Sequence, residues 1–148
     1  MKINITKKEY RLLLDILYLG EWMLTAHDQE EAPEKKQYQD VVQKFYSYAE
    51  EMGYENLIKA DKALNKYFET IEYEENSKVN EIIENYDNAT FWDELVSGLA
   101  LRDAQEIEGN DAFNKMSPEE RIQLLYPLEE KYHEEFMAND LANLQIKK

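Results

Sequence analysis

Apolar positions along this chain recur three and four residues apart, the period of helices that bury one face. Thr6-Lys7-Lys8-Glu9 has the form of a capping box, in which a threonine hydroxyl and a glutamate carboxylate satisfy orphan amides at a helix start. The helix that follows carries Tyr10, Leu13, Leu14, Leu17 and Tyr18 at core spacing, with Leu12, Ile16, Leu19, Trp22, Met23 and Leu24 besides. It is apolar on most sides, so a central position with neighbours on several faces is expected. Only Arg11 and Asp15, four residues apart, mark a wet stripe.

Ala32-Pro33-Glu34 restarts the chain, with proline suited to a first helical position. Tyr38, Val41, Val42, Phe45, Tyr46, Ala49 and Met52 then keep helical spacing until Gly53, a residue suited to ending a helix. Leu57, Ala60, Leu64, Tyr67, Phe68 and Ile71 predict a third helix. The period lapses over Glu74–Ser77, which predicts a loop, and Val79, Ile82, Ile83 and Tyr86 predict a short fourth helix. Thr90 is placed to cap a fifth, with Trp92, Leu95, Val96, Leu99 and Ala100 on its apolar face and Gly109-Asn110 at its end. Ser117-Pro118-Glu119-Glu120 is the cleanest start signal in the chain. The last helix carries Ile122, Leu125, Leu128, Tyr132, Phe136 and Met137, and Pro127 within it predicts a kink or a split. The tail, residues 139–148, is expected to be loosely ordered.

No alternating, β-branched run competes with these segments. The expected fold class is therefore all-α: a single-domain helical bundle of five to seven helices over residues 1–148, with a kinked helix near Pro127. Gly20 and Gly98 fall inside predicted helices, where each costs about 1 kcal/mol relative to alanine. Close helix–helix approach is the expected compensation.

Composition narrows the chemistry. The 148 residues match one ordinary domain and include no cysteine, which removes thiol catalysis, thiolate metal sites and disulfides together. The apolar stretch from Leu12 to Leu24 is interrupted by Asp15 and Glu21 and is too short to span a bilayer, so a cytoplasmic protein is expected. The net charge of −15 is concentrated: residues 69–111 hold 13 acids against Lys78 and Arg102 alone. Direct nucleic-acid binding through that region is disfavoured, because a phosphate backbone calls for lysine and arginine. A basic protein or a divalent cation is the fitting partner, set against the plainer reading of a solvated face.

The isolated glycines form no phosphate loop, and no serine stands in a nucleophile-elbow context. His27-Asp28 is similar to the pair that metal phosphohydrolases use, but that chemistry needs further histidines and the chain has only His27 and His133. Glu130-Lys131-Tyr132-His133 has the ExxH spacing of di-iron carboxylate bundles, without the second motif such sites use. Glu69, Glu72 and Glu75, and again Glu81, Glu84 and Asp87, run three apart. Two such ladders on facing helices resemble the ExxE and ExxD arrangement of all-α nucleotide pyrophosphohydrolases. That resemblance implies Mg²⁺ held by these carboxylates against a nucleotide.

Two expectations follow. The first is a non-enzymatic protein-interaction or regulatory module without a cofactor. It would dock a basic protein through the acidic region, with Glu72, Glu74, Glu75, Glu81, Glu84, Asp87 and Tyr73 as contact residues. Tyr48, Tyr54 and Tyr73 fall off the apolar stripes and are expected at the surface. The alternative is a Mg²⁺-dependent nucleotide hydrolase using glutamates of residues 69–87. Should a pocket exist, it is expected near Trp22, His27, Trp92 and Arg102, the last pairing with Glu94, Asp103 or Glu106.

Overall fold

A computed structural model of the chain describes residues 3–28 and 33–145. These residues form seven α-helices, one 3-10 turn and a two-stranded hairpin, so the fold is mostly helical as the spacing predicts. Contacts group them into two compact units, Met1–Asn85 and Tyr86–Lys148.

In the first unit α1 spans Lys7–Thr25. Its capping box forms as the sequence requires: the Thr6 amide donates to Glu9 Oε2 at 2.8 Å, and the Glu9 amide donates to Thr6 Oγ1 at 3.3 Å. A 3-10 turn at Pro33–Lys35 leads into α2, Lys36–Tyr46, and a short α3, Ala49–Met52. Ala32 lies outside the described residues. Gly53 ends α3 at φ 80°, a left-handed conformation that glycine adopts without strain.

The predicted third helix is instead an antiparallel hairpin, β1 (Ile58–Asp61) and β2 (Lys66–Glu69), in register Ile58–Glu69 and Asp61–Lys66. The turn between them has its own chemistry. Asp61 Oδ1 accepts from the amides of Ala63 (2.8 Å) and Leu64 (3.0 Å), and Asn65 takes φ 51°. A local carboxylate that captures two amides stops a helix from forming there. The residues expected to loop at 74–77 belong largely to a short helix, α4, Ile71–Asn76, capped by Thr70.

The core of this unit gathers Tyr10, Leu14, Val42, Tyr46, Ala49, Leu57, Ile58, Tyr73 and Val79. Three of its largest members are tyrosines, and each hydroxyl has a partner, as burial demands. Tyr10 donates to the Phe45 carbonyl at 2.7 Å, Tyr46 to Glu69 Oε1 at 2.5 Å, and Tyr73 to Asp15 Oδ1 at 2.9 Å. The central position expected for α1 is only half realised. Leu14 and Tyr10 are buried, whereas Leu12, Ile16 and Met23 on the opposite face are 62%, 64% and 57% exposed.

The predicted fourth and fifth helices are one: α5 runs unbroken from Val79 to Glu108. Thr90, expected to cap, is an exposed residue within it. A threonine or serine caps only where the backbone before it is non-helical, and here nothing interrupts the preceding turns. Gly109, at φ 81°, does end the helix, and Asn110 opens α6, Asn110–Lys115. α7 spans Pro118–Asn139 from a complete Ser117–Glu120 capping box. It continues across Pro127 as a single helix, so the proline does not split it. A turn follows, with the Ala142 amide bonded to the Asn139 carbonyl at 3.0 Å.

In the second unit Val96, Ala100, Ala104, Phe113 and Phe136 are buried. Alanines at positions 100 and 104, four apart on α5, present a shallow helix surface to their neighbours. Gly20 and Gly98 do not follow the expectation of close approach. A Cβ built at either would meet nothing within 4 Å, so no packing contact in the structure compensates their helical cost.

Candidate functional site

A cleft in the first unit opens between α1, α2 and β2, with a volume of about 570 Å³. Local structure fixes its walls. Gln43 on α2 acts as a surrogate strand: its amide nitrogen donates to the Tyr67 carbonyl at 2.9 Å, and its oxygen accepts the Tyr67 amide at 2.7 Å. Those two bonds satisfy one residue of the hairpin edge and tie β2 to α2. One turn along α2, the buried Tyr46 hydroxyl donates to Glu69 Oε1 and sets that carboxylate in the cleft. Glu21, half-buried on α1, lines the same space, and Lys36 and Lys66 stand at it too.

The electrostatics follow from this crowding. Burial beside Glu69 holds the Tyr46 phenol far above its ordinary pKa, because ionising it would place a second negative charge against the carboxylate. Desolvation raises the Glu21 carboxyl above its ordinary value of 4.5, Glu69 raises it further, and Lys66 acts weakly the other way. The folded chain thus binds the Glu21 proton more tightly than the unfolded chain does. The stabilisation from that proton is complete below the unfolded pKa and is lost as pH rises through the raised folded value. In Glu21→Gln this slope is expected to disappear, so the variant gains stability relative to the parent between pH 4.5 and neutrality. Thermal unfolding of both chains across that range measures it, and parallel profiles would refute it.

The residues singled out in the sequence are placed as follows. Glu72, Glu74, Glu75, Glu81, Glu84 and Asp87 are all exposed. Tyr73, expected at the surface among them, is 0% exposed. Its ring packs against Tyr18, with centroids 5.5 Å apart, and its hydroxyl reaches Asp15. α4 is a separate short helix rather than part of a long one, so its buried face does not follow from the stripes on either side. Tyr48 is exposed as expected, and Tyr54 is half-buried against Tyr10.

The first carboxylate ladder is not helical. Glu69 ends β2, Glu72 and Glu75 lie on α4, and Thr70 between them is a helix cap with extended backbone. The three acids therefore lack the common helix face that the pyrophosphohydrolase resemblance needs. Among the described residues no group of three or more Asp, Glu or His side chains is arranged to hold a metal ion.

The four pocket candidates divide between the units. Trp22 is half-buried near the end of α1, and His27 is exposed beyond it. In the second unit Trp92 packs on Phe136 (5.5 Å) and Phe91 (5.0 Å) and lines a cleft of about 310 Å³ with His133 and Met137. Arg102 does not line that cleft. It binds Asp103, as expected, with Nη2 to Oδ1 at 2.6 Å, and Tyr132 closes the network by donating to Asp103 Oδ2 at 2.5 Å. The Tyr132 hydroxyl, ahead of Arg102, holds the Asp103 carboxyl below its ordinary range. This network pairs its charges internally and reads as structural.

Sequence reasoning missed the Glu21–Glu69–Tyr46 arrangement. Glu21 was legible only as an interruption of an apolar stretch, and Glu69 only as the first rung of a ladder. Comparison with known proteins found no family model, no curated protein and no solved structure that matches the chain.

Proposed function

We propose that this chain is a non-enzymatic interaction module that docks a basic protein surface through the carboxylates of α4 and the start of α5. The observation that supports it most is charge left unpaired: Glu72, Glu74, Glu75, Glu81 and Glu84 are all exposed, and none forms an ion pair with a described lysine or arginine. Lys78 is the one base among residues 69–85. Among the described residues the ion pairs lie elsewhere, at Arg11–Asp15, Lys35–Asp28, Arg102–Asp103 and Lys131–Asp103.

Apolar groups accompany these acids. Ile71 is 73% exposed and Ile82 is 50% exposed, which supplies the contact area that carboxylates alone lack. A basic partner would be steered by the unpaired charges and held by the isoleucines, so association should be fast and salt-sensitive. No helix is long and apolar enough to cross a membrane, among the described residues.

The test is affinity capture from a lysate at low and high salt, with the parent chain and a variant carrying glutamine at positions 72, 74, 75, 81 and 84. A specific protein retained by the parent at low salt is expected to be lost from the variant and at high salt. Retention unchanged by the five substitutions, or no protein retained by the parent, would overturn the proposal.

A further inference from the structure

We infer that the cleft between α1, α2 and β2 binds an organic cation, an ammonium or guanidinium group, seated between the carboxylates of Glu21 and Glu69. The cleft, at about 570 Å³, has the size of a small-molecule site. It is built rather than incidental. α1 supplies Glu21, α2 supplies Gln43 and Tyr46, and β2 supplies Glu69, with the hairpin clamped to α2 through both polar groups of the Tyr67 backbone.

The polar groups in it are unevenly satisfied. Glu69 receives the Tyr46 hydroxyl at Oε1, and Oε2 has no hydrogen-bond donor among the described residues. The Glu21 carboxylate, half-buried, has neither a hydrogen bond nor an ion pair among them. Two neighbouring carboxylates in a partly desolvated space destabilise one another, and a cation between them relieves both. The chain's own cations do not do this, since neither Lys36 nor Lys66 comes within ion-pair distance of either glutamate.

The lining also selects the kind of cation. Asp40 also lines the cleft, but among the described residues no group of three or more Asp, Glu or His side chains is arranged to hold a metal ion. Phe68 and Tyr67 supply aromatic surface on the same cleft, against which a methylene stem or a guanidinium plane packs. The carboxylates of Glu21, Asp40 and Glu69 outnumber Lys36 and Lys66 by one, so the cleft favours a single positive charge on the ligand. The fit is therefore to a single basic group on a short stem, as in arginine or lysine, either free or as a side chain of a bound protein. A diamine fits less well.

The cleft residues and the exposed carboxylates of α4 and α5 do not overlap, so this inference and the docking proposal stand or fall separately. The experiment is a titration followed by amide and side-chain NMR, with three probes: free L-arginine, arginine blocked at both ends, and putrescine. Saturable shifts centred on Glu21, Tyr46 and Glu69 are expected with arginine, and weaker ones with putrescine. Glu21→Gln should weaken binding about tenfold or more, the equivalent of about 1.4 kcal/mol. Glu69→Gln keeps an acceptor for Tyr46 and should do the same, while Glu72→Gln should leave binding unchanged. Blocked arginine binding as well as the free amino acid assigns the cleft to a side chain of a protein; free arginine alone assigns it to the small molecule. Absence of saturable shifts with every probe, or shifts unaltered in both cleft variants, would overturn the inference.

Discussion

Tyr73→Ala is expected to destabilise the first unit by about 3–5 kcal/mol, the cost of removing a fully buried aromatic side chain. The ring is at 0% exposure and contacts Tyr18, and the Arg11 guanidinium lies 5.0 Å from its centroid. Removing it leaves a cavity where α4 meets α1. It also removes a hydrogen bond to Asp15, which the Arg11 guanidinium (2.5 Å) and the Ser77 hydroxyl (3.0 Å) still hold. Tyr73→Phe should therefore cost only about 1 kcal/mol, because the carboxylate keeps two partners and the packing is retained. Urea denaturation of both variants, followed by circular dichroism, measures the difference. Equal losses would mean that the hydroxyl rather than the ring anchors α4.

The second large effect is expected at Gln43. Gln43→Ala removes both bonds to the Tyr67 backbone and should cost about 2 kcal/mol. Gln43→Glu is the sharper test. A carboxylate can still accept from the Tyr67 amide but sets a negative oxygen against its carbonyl, so the variant should be no more stable than the alanine. Amide exchange within Ile58–Asp61 and Lys66–Glu69 should accelerate in both. If the hairpin amides exchange at the parent rate, it does not depend on this clamp.

These side chains show where the sequence was readable. Both capping boxes formed, at Thr6–Glu9 and Ser117–Glu120, because their chemistry is complete within four residues. Gly53 and Gly109 ended helices for an equally local reason. The hairpin was not legible because its strands are four residues each, shorter than any window in which a period of two can be told from one of 3.6. Leu57, Ala60, Leu64, Tyr67, Phe68 and Ile71 fall at helical spacing, yet Asp61 and Asn65 decide the backbone. Thr90 misled for the reverse reason, since a capping residue is tolerated in a helix that has no reason to end.

The site was less legible than the fold. Exposure of the acids on α4 and α5 follows from their spacing. The meeting of Glu21 with Glu69 does not, because it depends on a hairpin that pattern alone reads as a helix. Read as a helix, residues 57–71 would point Glu69 along a ladder with Glu72 and Glu75. Read as a strand, the same residue turns toward α2 and receives the Tyr46 hydroxyl.

α5 has a consequence for how the chain can be taken apart. It passes from Asn85 to Tyr86 with no loop, so the boundary between the compact units falls inside continuous helical hydrogen bonding. Proteases and genetic insertions succeed at exposed turns, where backbone is easily drawn into an extended form. Exposed turns of that kind include Lys62–Asn65 and Gly109, each within a unit. A fragment ended at residue 85 would keep seven residues of α5, Val79–Asn85, with Val79 still in the core of the first unit but the helix cut in mid-course. The two units are distinct by contact yet share one helix, so any cut between them breaks helical hydrogen bonds rather than a loop.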